Sequence, residues 1–465
     1  MCSPVSSLGQ RAARPAVSPV RRTHERWVND PSGSSVPPVS PNRGGLRILA
    51  RPGHPDFLDL PWHRPLGTWD GEPATDRLVE VARGVHRHVV KFVDYDGRLY
   101  ALKELPPRVA EREYRLLRHM SEEALPVVEA VGVANRGEDL DDVLITRYLD
   151  YSLPYRLLFI HRRPATGPDV RGLSSRLLDA LAMLLVRLHL AGFYWGDCSL
   201  SNTLFRRDAG ALAAYLVDME TGEWHAQLTD GQRATDLEVT ELNVVGGLMD
   251  VQSELDLARD PDPVETAADL RLRYERLWAE LNSEEVISPD ERHKIEARIR
   301  RLNELGFDVD EVEVATTESG EQLILRTCVT EQGFHRRRLL SLTGLDAQEN
   351  QARSLLNDLA NFRLALEREA GRPVPEQVAA YRWLTDIFEP TVAAIPEPLG
   401  AKLEPVEVFH EVIEHKWFLS ERHGTDIGVE SAVASYMDNE LPQIPDERTV
   451  LATDEDAEVG WIGYG

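Results

Sequence analysis

Apolar, β-prone residues cluster along residues 79–105, which read as strands, and a helical pattern begins near residue 110. The stretch HVVKFVDYDGRLYALKEL holds two β-rich runs, 89–95 and 99–105, and Asp96-Gly97 between them predicts a tight hairpin. Residues 46–50 read as a strand or a short helix, and Leu58, Leu60 and Trp62 follow with apolar spacing. Residues 110–120 read as a short helix, and 127–133 and 143–148 as two further strands. The pattern predicts a small sheet with one helix inserted.

Beyond residue 149 the pattern turns helical. Leu177, Leu178, Leu181, Leu184, Leu185 and Leu188 recur at three- and four-residue spacing, which predicts an amphipathic helix over 174–190. A loop over 192–202 precedes a short hairpin, with strands at 203–205 and 214–217 and a turn at Asp208-Ala209-Gly210. A second segment begins near Gly231. Asp262-Pro263 places an N-cap before a proline at the first helical position. Ser288-Pro289-Asp290-Glu291 is a capping box, and Gly306 can close that helix. Residues 309–314, 322–329 and 335–340 read as short strands, and 346–370 as a long helix ending at Gly371. Residues 406–421 and 426–441 read as helices. No internal repeat is visible.

Composition bounds this picture. At 465 residues and 52.3 kDa the chain is too long for one small domain, and 42% hydrophobic residues supply an ordinary globular core. Ser, Pro and Gly fill 19 of the first 45 positions, so this segment is expected to be a disordered tail. Residues 438–465 carry eight acids against Arg448, which predicts a loose acidic end. The formal charge of −26 gives a field that repels phosphate polymers and argues against a general nucleic-acid binder. Three cysteines, Cys2, Cys198 and Cys328, cannot build a disulfide framework or a four-cysteine zinc site, which points to a reducing cytoplasm. No apolar run approaches the ~18 residues of a membrane span. Arg21-Arg22 has no hydrophobic segment after it, so no export signal is read.

Four pieces of chemistry follow one another along the chain. Lys103 ends the strand Tyr100-Ala101-Leu102-Lys103. Glu113 lies on the one helix of the small sheet, with Glu111 as the alternative. Trp195-Gly196-Asp197-Cys198-Ser199-Leu200-Ser201-Asn202 forms a D-x-x-x-x-N loop. Asp218 ends a strand in Leu216-Val217-Asp218-Met219-Glu220. Each piece alone is cheap. Together, in this order and on these elements, they favour a nucleotide site.

The order resembles the protein-kinase-like superfamily over roughly residues 79–220, nearest the lipopolysaccharide-kinase and small-molecule-kinase branches. From Leu46 onward, stretches such as RPGHPDFLDLPW and IEARIRRLNELGFDVDE look like an actinobacterial family. That family pairs a kinase-like half with a C-terminal domain of unknown function, DUF4032. The resemblance implies an α+β, two-lobed kinase-like fold followed by a mixed, mostly helical domain. The expected divisions are a tail (1–45), an N-lobe (46–149), a C-lobe core (150–230), a DUF4032-like domain (231–440) and an acidic tail (441–465).

It also implies ATP and Mg²⁺ as cofactors and a hydroxyl on a small-molecule or lipid- or saccharide-linked acceptor. Lys103 would hold phosphates and Glu113 would orient it. Asp197 would serve as base, and Asn202 and Asp218 would hold the metal through oxygens, with Glu220 a further carboxylate nearby. Thr146, Arg147 and Leu149 would form the nucleotide-binding hinge. Read from the residues alone, the C-terminal region would cap the cleft, bind the acceptor or recruit a protein partner.

The chain departs from the pattern in two places. The phosphate-covering segment Gly84-Val85-His86-Arg87-His88-Val89 has one glycine, leaving His86, Arg87 or His88 as phosphate contacts or the stretch as a plain turn. Asp218-Met219-Glu220 lacks the glycine pivot of D-F-G. These departures motivate the alternative of a nucleotide-binding pseudokinase without turnover.

Three other features read as decoys. Cys198 lacks a nearby activating base and reads as packing. His410 and His415 are five apart, turned ~140° on a helix, which fails the zinc-protease spacing. The helix that carries them is expected to pack through Val408, Val412, Phe418 and Leu419. His335 to Arg338 form a basic run, read as a strand edge paired with surplus acids or as an anion or nucleic-acid contact.

Overall fold

The structure, a computed structural model, describes residues 45–449 except 71–75, 82–87, 138, 156–169, 255–261, 283–284, 288–290, 292, 306 and 317–322. The expected tail before Gly45, the far acidic end, His86, Arg87, Gly306 and most of the 288–291 capping box lie outside the described residues.

Six strands build the first sheet: β1 (Arg47–Ala50), β2 (Leu78–Val79), β3 (Val90–Tyr95), β4 (Arg98–Leu105), β5 (Ala130–Asn135) and β6 (Asp142–Arg147). Their order is β1-β5-β6-β4-β3-β2, antiparallel throughout. The β3–β4 turn needs two left-handed residues. Asp96 and Gly97 supply them, at φ 55° and 75°, and Gly97 N–H donates to Asp94 Oδ1 at 3.1 Å. Residues 47–50 resolve as strand because β1 lies tightly against β5. A Cβ at Gly132 would sit 2.3 Å from Leu49 O.

Helix α1 (Val109–Glu122) turns Ala110, Tyr114, Leu117 and Met120 onto one face of this sheet. The segment 51–70 straps the other face and buries Phe57, Trp62 and Trp69 against Val93, Tyr100 and Leu102. Its indoles find partners within the strap: Trp62 Nε1 donates to Phe57 O at 2.7 Å, and Trp69 Nε1 to Arg64 O at 3.2 Å.

The second lobe carries β7 (Ser152–Pro154), α2 (Val170–Leu190), β8 (Phe193–Tyr194), β9 (Thr203–Asp208), β10 (Ala211–Leu216), β11 (Glu223–Trp224), α3 (Asp230–Glu254) and α4 (Pro263–Asn282). The leucines of α2 pack with Val244 and Leu248 of α3 and Leu270 of α4 in one core. Asp262 caps α4, accepting from Val264 N and Glu265 N at 2.8 and 3.0 Å.

The remainder starts with β12 (Glu285–Ile287), α5 (His293–Glu304), β13 (Phe307–Thr316) and β14 (Leu323–Gln332), an antiparallel sheet ordered β12-β14-β13. Helices α6 (Phe334–Thr343), α7 (Glu349–Ala370), α8 (Glu376–Trp383), α9 (Glu389–Ala393), α10 (Pro405–His423) and α11 (Val429–Asn439) follow.

Three expectations need correction. Residues 335–340 are helical, not a strand. The Glu349 carboxylate, fourteen residues after His335, accepts the backbone N–H of His335 and Arg336 and so caps α6 from a distance. Phe418 is 55% exposed and does not pack, whereas Val408 and Val412 are buried. The described part of the acidic end is not loose. Glu447 is 2% exposed and accepts Arg207 Nε and Nη2 at 2.9 and 2.8 Å.

The C-terminal helices grip the β9–β10 hairpin. Besides the Arg207 pair, Arg206 meets Glu404 at 2.7 Å, and Ala209 N–H donates to Glu407 Oε2 at 3.0 Å. Tyr215 Oη donates to Gln348 Oε1 at 2.7 Å. Asp208 accepts Gln351 N–H at 2.7 Å and Asn350 Nδ2 at 3.0 Å.

Burial pushes the Asp208 carboxyl up to about 6, against the pull of those donors. A raised folded value means that its stabilising contribution is complete below the ordinary 3.8 and is lost as pH rises through about 6. Urea unfolding should therefore show wild type losing stability relative to Asp208→Asn between pH 4 and pH 7, by roughly 1–3 kcal/mol. A pH-independent difference would refute this.

Candidate active site

Lys103 lies on β4 with 14% of its side chain exposed. Its Nζ lies 3.3 Å from Glu113 Oε2, 2.8 Å from Asp218 Oδ2 and 3.0 Å from Glu220 Oε1. Glu113, on the sheet-facing side of α1, is 1% exposed, whereas Glu111 faces solvent and pairs with Arg115. The helical period decides between the two, because Glu113 shares a face with Ala110 and Leu117.

Burial drives the Glu113 carboxyl up to about 7. Lys103 opposes that rise, and Asp218 and Glu220 add to it. Burial alone would lower the Lys103 value, but Glu113, Asp218 and Glu220 outweigh it and raise it.

One ammonium thus faces three carboxylates. Oxygens of Glu113, Asp218 and Glu220 lie within 4.8 Å of one another. Such a cluster of hard oxygen donors with surplus negative charge suits a divalent cation such as Mg²⁺. His88 Nε2 lies 2.7 Å from Glu220 Oε1, so the described end of the phosphate-covering segment meets this carboxylate. Arg112 holds the chain beyond Asp218, donating to Glu220 O at 2.9 Å and Gly222 O at 2.5 Å.

The loop 193–202 presents Asp197. Its Oδ1 accepts from Asn243 Nδ2 at 3.0 Å, and Asn202 Nδ2 donates to Asp197 O and Oδ2 at 3.0 and 3.4 Å. The two ends of the site are joined through the backbone, where Val217 N–H donates to Asn202 O at 3.1 Å. Trp195 Nε1 donates to Asp218 O at 2.9 Å. Lys103, Glu113 and Asp218 form one group, and Asp197 with Asn202 another beside it. Thr146 and Arg147 end β6 and Leu149 follows in the link to the second lobe. The Arg147 guanidinium turns toward Glu129 and Asp150.

Two positions escaped the sequence reading: Asp236 and Asn243 on α3. Asp236 is fully buried and accepts Trp195 N–H and Gly196 N–H, both at 2.8 Å, and contacts His189 Nε2 at 3.1 Å. Gly196 can take part because it sits at φ +74°, where a Cβ would come 2.9 Å from the Tyr194 ring. A signal was available, since Asp236, Thr240 and Asn243 form a polar i, i+4, i+7 stripe on a helix otherwise buried through Leu237, Val244 and Leu248.

The decoys resolve into separate contacts. His410 meets Ser354, His415 meets Ser435 and His423 meets its own helix backbone. The Glu113–Asp218–Glu220 group is the metal-capable cluster found among the described residues. His335, Arg336 and Arg338 pair with Glu349, Asp346 and Glu376. Cys198 is fully buried, and burial pushes its thiol well above the usual range.

An antiparallel lobe with a strand lysine held by a helix glutamate, joined to a helical lobe with a carboxylate loop, defines a kinase-like protein. Residues 96–244 match the lipopolysaccharide kinase (Kdo/WaaP) family and residues 276–441 match the domain of unknown function DUF4032. The chain is therefore a kinase-like region followed by a DUF4032 domain. Solved structures similar to it include WaaP in complex with acyl carrier protein, at 18% identity and TM-score 0.32, covering 50% of this chain and 99% of that one. The BubR1 kinase domain is similar at 17% identity and TM-score 0.26, covering 34% and 51%. A search among curated proteins finds no match. Among the described residues no helix is long and apolar enough to cross a membrane.

Removing the Asp236 carboxylate strands two buried N–H donors. Asp236→Ala should lower the unfolding free energy by about 3 kcal/mol or more, measured by urea denaturation. Native labelling with iodoacetamide, mapped by mass spectrometry, should leave Cys198 unmodified until the chain unfolds.

Proposed function

We propose that this protein is an ATP- and Mg²⁺-dependent phosphotransferase that acts on a hydroxyl of a small-molecule or of a lipid- or saccharide-linked acceptor. The observation that carries the reading is the ion-paired Lys103, held at once by buried Glu113 and by Asp218. Phosphoryl transfer needs charge neutralisation and positioning more than covalent help. Lys103 would neutralise the nucleotide phosphates, and Glu113 would keep its ammonium in place. Asp218 and Asn202 would hold the metal, with Glu220 close enough to contribute a carboxylate oxygen. The bound metal would neutralise charge on the phosphates. Asp197, oriented by Asn243, would take the proton of the acceptor hydroxyl as the acceptor oxygen bonds to the γ-phosphorus of ATP and the bond from that phosphorus to the bridging oxygen breaks, releasing ADP. Thr146, Arg147 and Leu149 would border the nucleotide's base through the link between lobes.

A second reading, nucleotide binding without turnover, is favoured by Glu220, which already occupies the Lys103 ammonium beside Asp218.

Calorimetric titration of ATP tests both. Binding should require Mg²⁺ and weaken about tenfold or more in Asp218→Asn. Asp197→Asn should retain binding while phosphate transfer or ATP hydrolysis falls ~10²–10⁴-fold. Mg²⁺-dependent binding with no turnover in wild type selects the second reading, and no binding by folded wild type overturns both.

A further inference from the structure

Asn202 and Asp218, the candidate metal ligands, flank the open end of one β-hairpin. Its register pairs Thr203 with Leu216 at that end and Asp208 with Ala211 at the turn. Val217 N–H, donating to Asn202 O at 3.1 Å, is the last rung before the ligands. The turn lies about 20 Å along the strand from Asn202.

Two kinds of contact hold this hairpin. Phe205, Leu212, Ala214 and Leu216 are buried in the core they share with α2. Such apolar contacts fix how deep the hairpin sits, but they are non-directional and say little about its position along the lobe. Hydrogen bonds and ion pairs are directional, and those of the turn end come from the C-terminal region. Arg206 meets Glu404, and Arg207 is held by both oxygens of Glu447. Asp208 accepts from Gln351 and Asn350, and Ala209 N–H reaches Glu407 Oε2.

The turn end carries marks of being held from outside. Ala209 is left-handed at φ 51° without being glycine, a conformation that persists where the surroundings dictate it. Glu407 and Glu447 are 3% and 2% exposed, and buried carboxylates are costly unless donors match them. Their donors are the Ala209 N–H and the Arg207 guanidinium, with Gln351 Nε2 also on Glu407 at 2.7 Å. The same stretch of chain reaches the lobe connection. Glu447 N–H donates to Ala401 O at 3.0 Å, and the next residue, Arg448, accepts Tyr151 N–H at 3.1 Å. Tyr151 is left-handed too, at φ 58°, and its Oη donates to Gly400 O at 3.1 Å.

We propose that the DUF4032 domain, with the segment through Arg448, is a positioning module for the metal ligands. By gripping the hairpin turn and the lobe connection it sets where Asn202 and Asp218 stand. The proposal rests on the phosphotransfer reading for the identity of those ligands. It gives the domain a role in that site instead of an activity of its own. Arg207 and Glu447 are positioning residues, acting through the hairpin.

Two measurements on the full chain test this. Hydrogen exchange without ligands reports the Val217 amide, and calorimetry reports Mg²⁺-dependent ATP binding. Glu447→Gln and Arg207→Gln should each speed Val217 exchange about tenfold and weaken that binding about tenfold. The double variant should lose no more than the worse single one, because both act through one pair. Arg207 has a 39% exposed side chain, so Arg207→Gln keeps the test valid if the buried Glu447→Gln does not fold. Phe388→Leu, packed against Trp383 and Phe409 in the core of the same domain, lowers stability without touching the grip and should change neither readout. Unchanged Val217 exchange in the grip variants overturns the proposal. So does faster exchange with undiminished binding, or an equal loss in Phe388→Leu. Wild type that binds no ATP with Mg²⁺ overturns the phosphotransfer reading itself, and this proposal with it.

Discussion

Asp236 has no contact with water, yet its carboxylate is matched by the N–H groups of Trp195 and Gly196 and by His189. Three elements meet at this one group: α3, which carries it, α2, which carries His189, and the loop that presents Asp197. His189 in turn meets Tyr274 of α4 at 2.7 Å. A buried charge of this kind is tolerable when its hydrogen bonds are complete, and then it fixes the groups that complete them. The position of Asp197 is thus a consequence of how α2, α3 and α4 pack, not of the loop's own preferences.

The β9–β10 hairpin applies the same logic on the other side. Asn202 immediately precedes it and Asp218 stands two residues beyond it. At its far turn, Arg206, Arg207 and Asp208 are gripped by Glu404, Glu447 and the start of α7. The DUF4032 domain therefore holds the hairpin whose two strands join the candidate metal positions. Part of the chain's acidic surplus is used in that grip, since Glu404, Glu407 and Glu447 all face the hairpin or its arginines.

Much of the first lobe could be read locally. β-rich runs found β3 and β4, Asp96-Gly97 found their turn, and leucine spacing found α2, because each signal lies within a few residues of the structure it dictates. The residues of the Lys103 cluster were legible because strand, helix and loop each carried one charged residue in a meaningful order. Where reading failed, the partner was remote. Helix α6 is capped by Glu349, the acidic end is ordered by Arg207, and Asp236 gains its meaning from a loop about forty residues earlier.

The amino-acid sequence by itself determined the small sheet, its hairpin, the amphipathic helices and the chemistry-bearing residues, because period, turn residues and residue type act over short distances. Tertiary structure alone decided that Glu220 reaches the Lys103 ammonium beside Asp218. It also decided that Asp236 and Asn243 hold the Asp197 loop. Each of these depends on burial and charge compensation between groups far apart in the chain, and a carboxylate's partner is chosen by packing rather than by its neighbours in sequence.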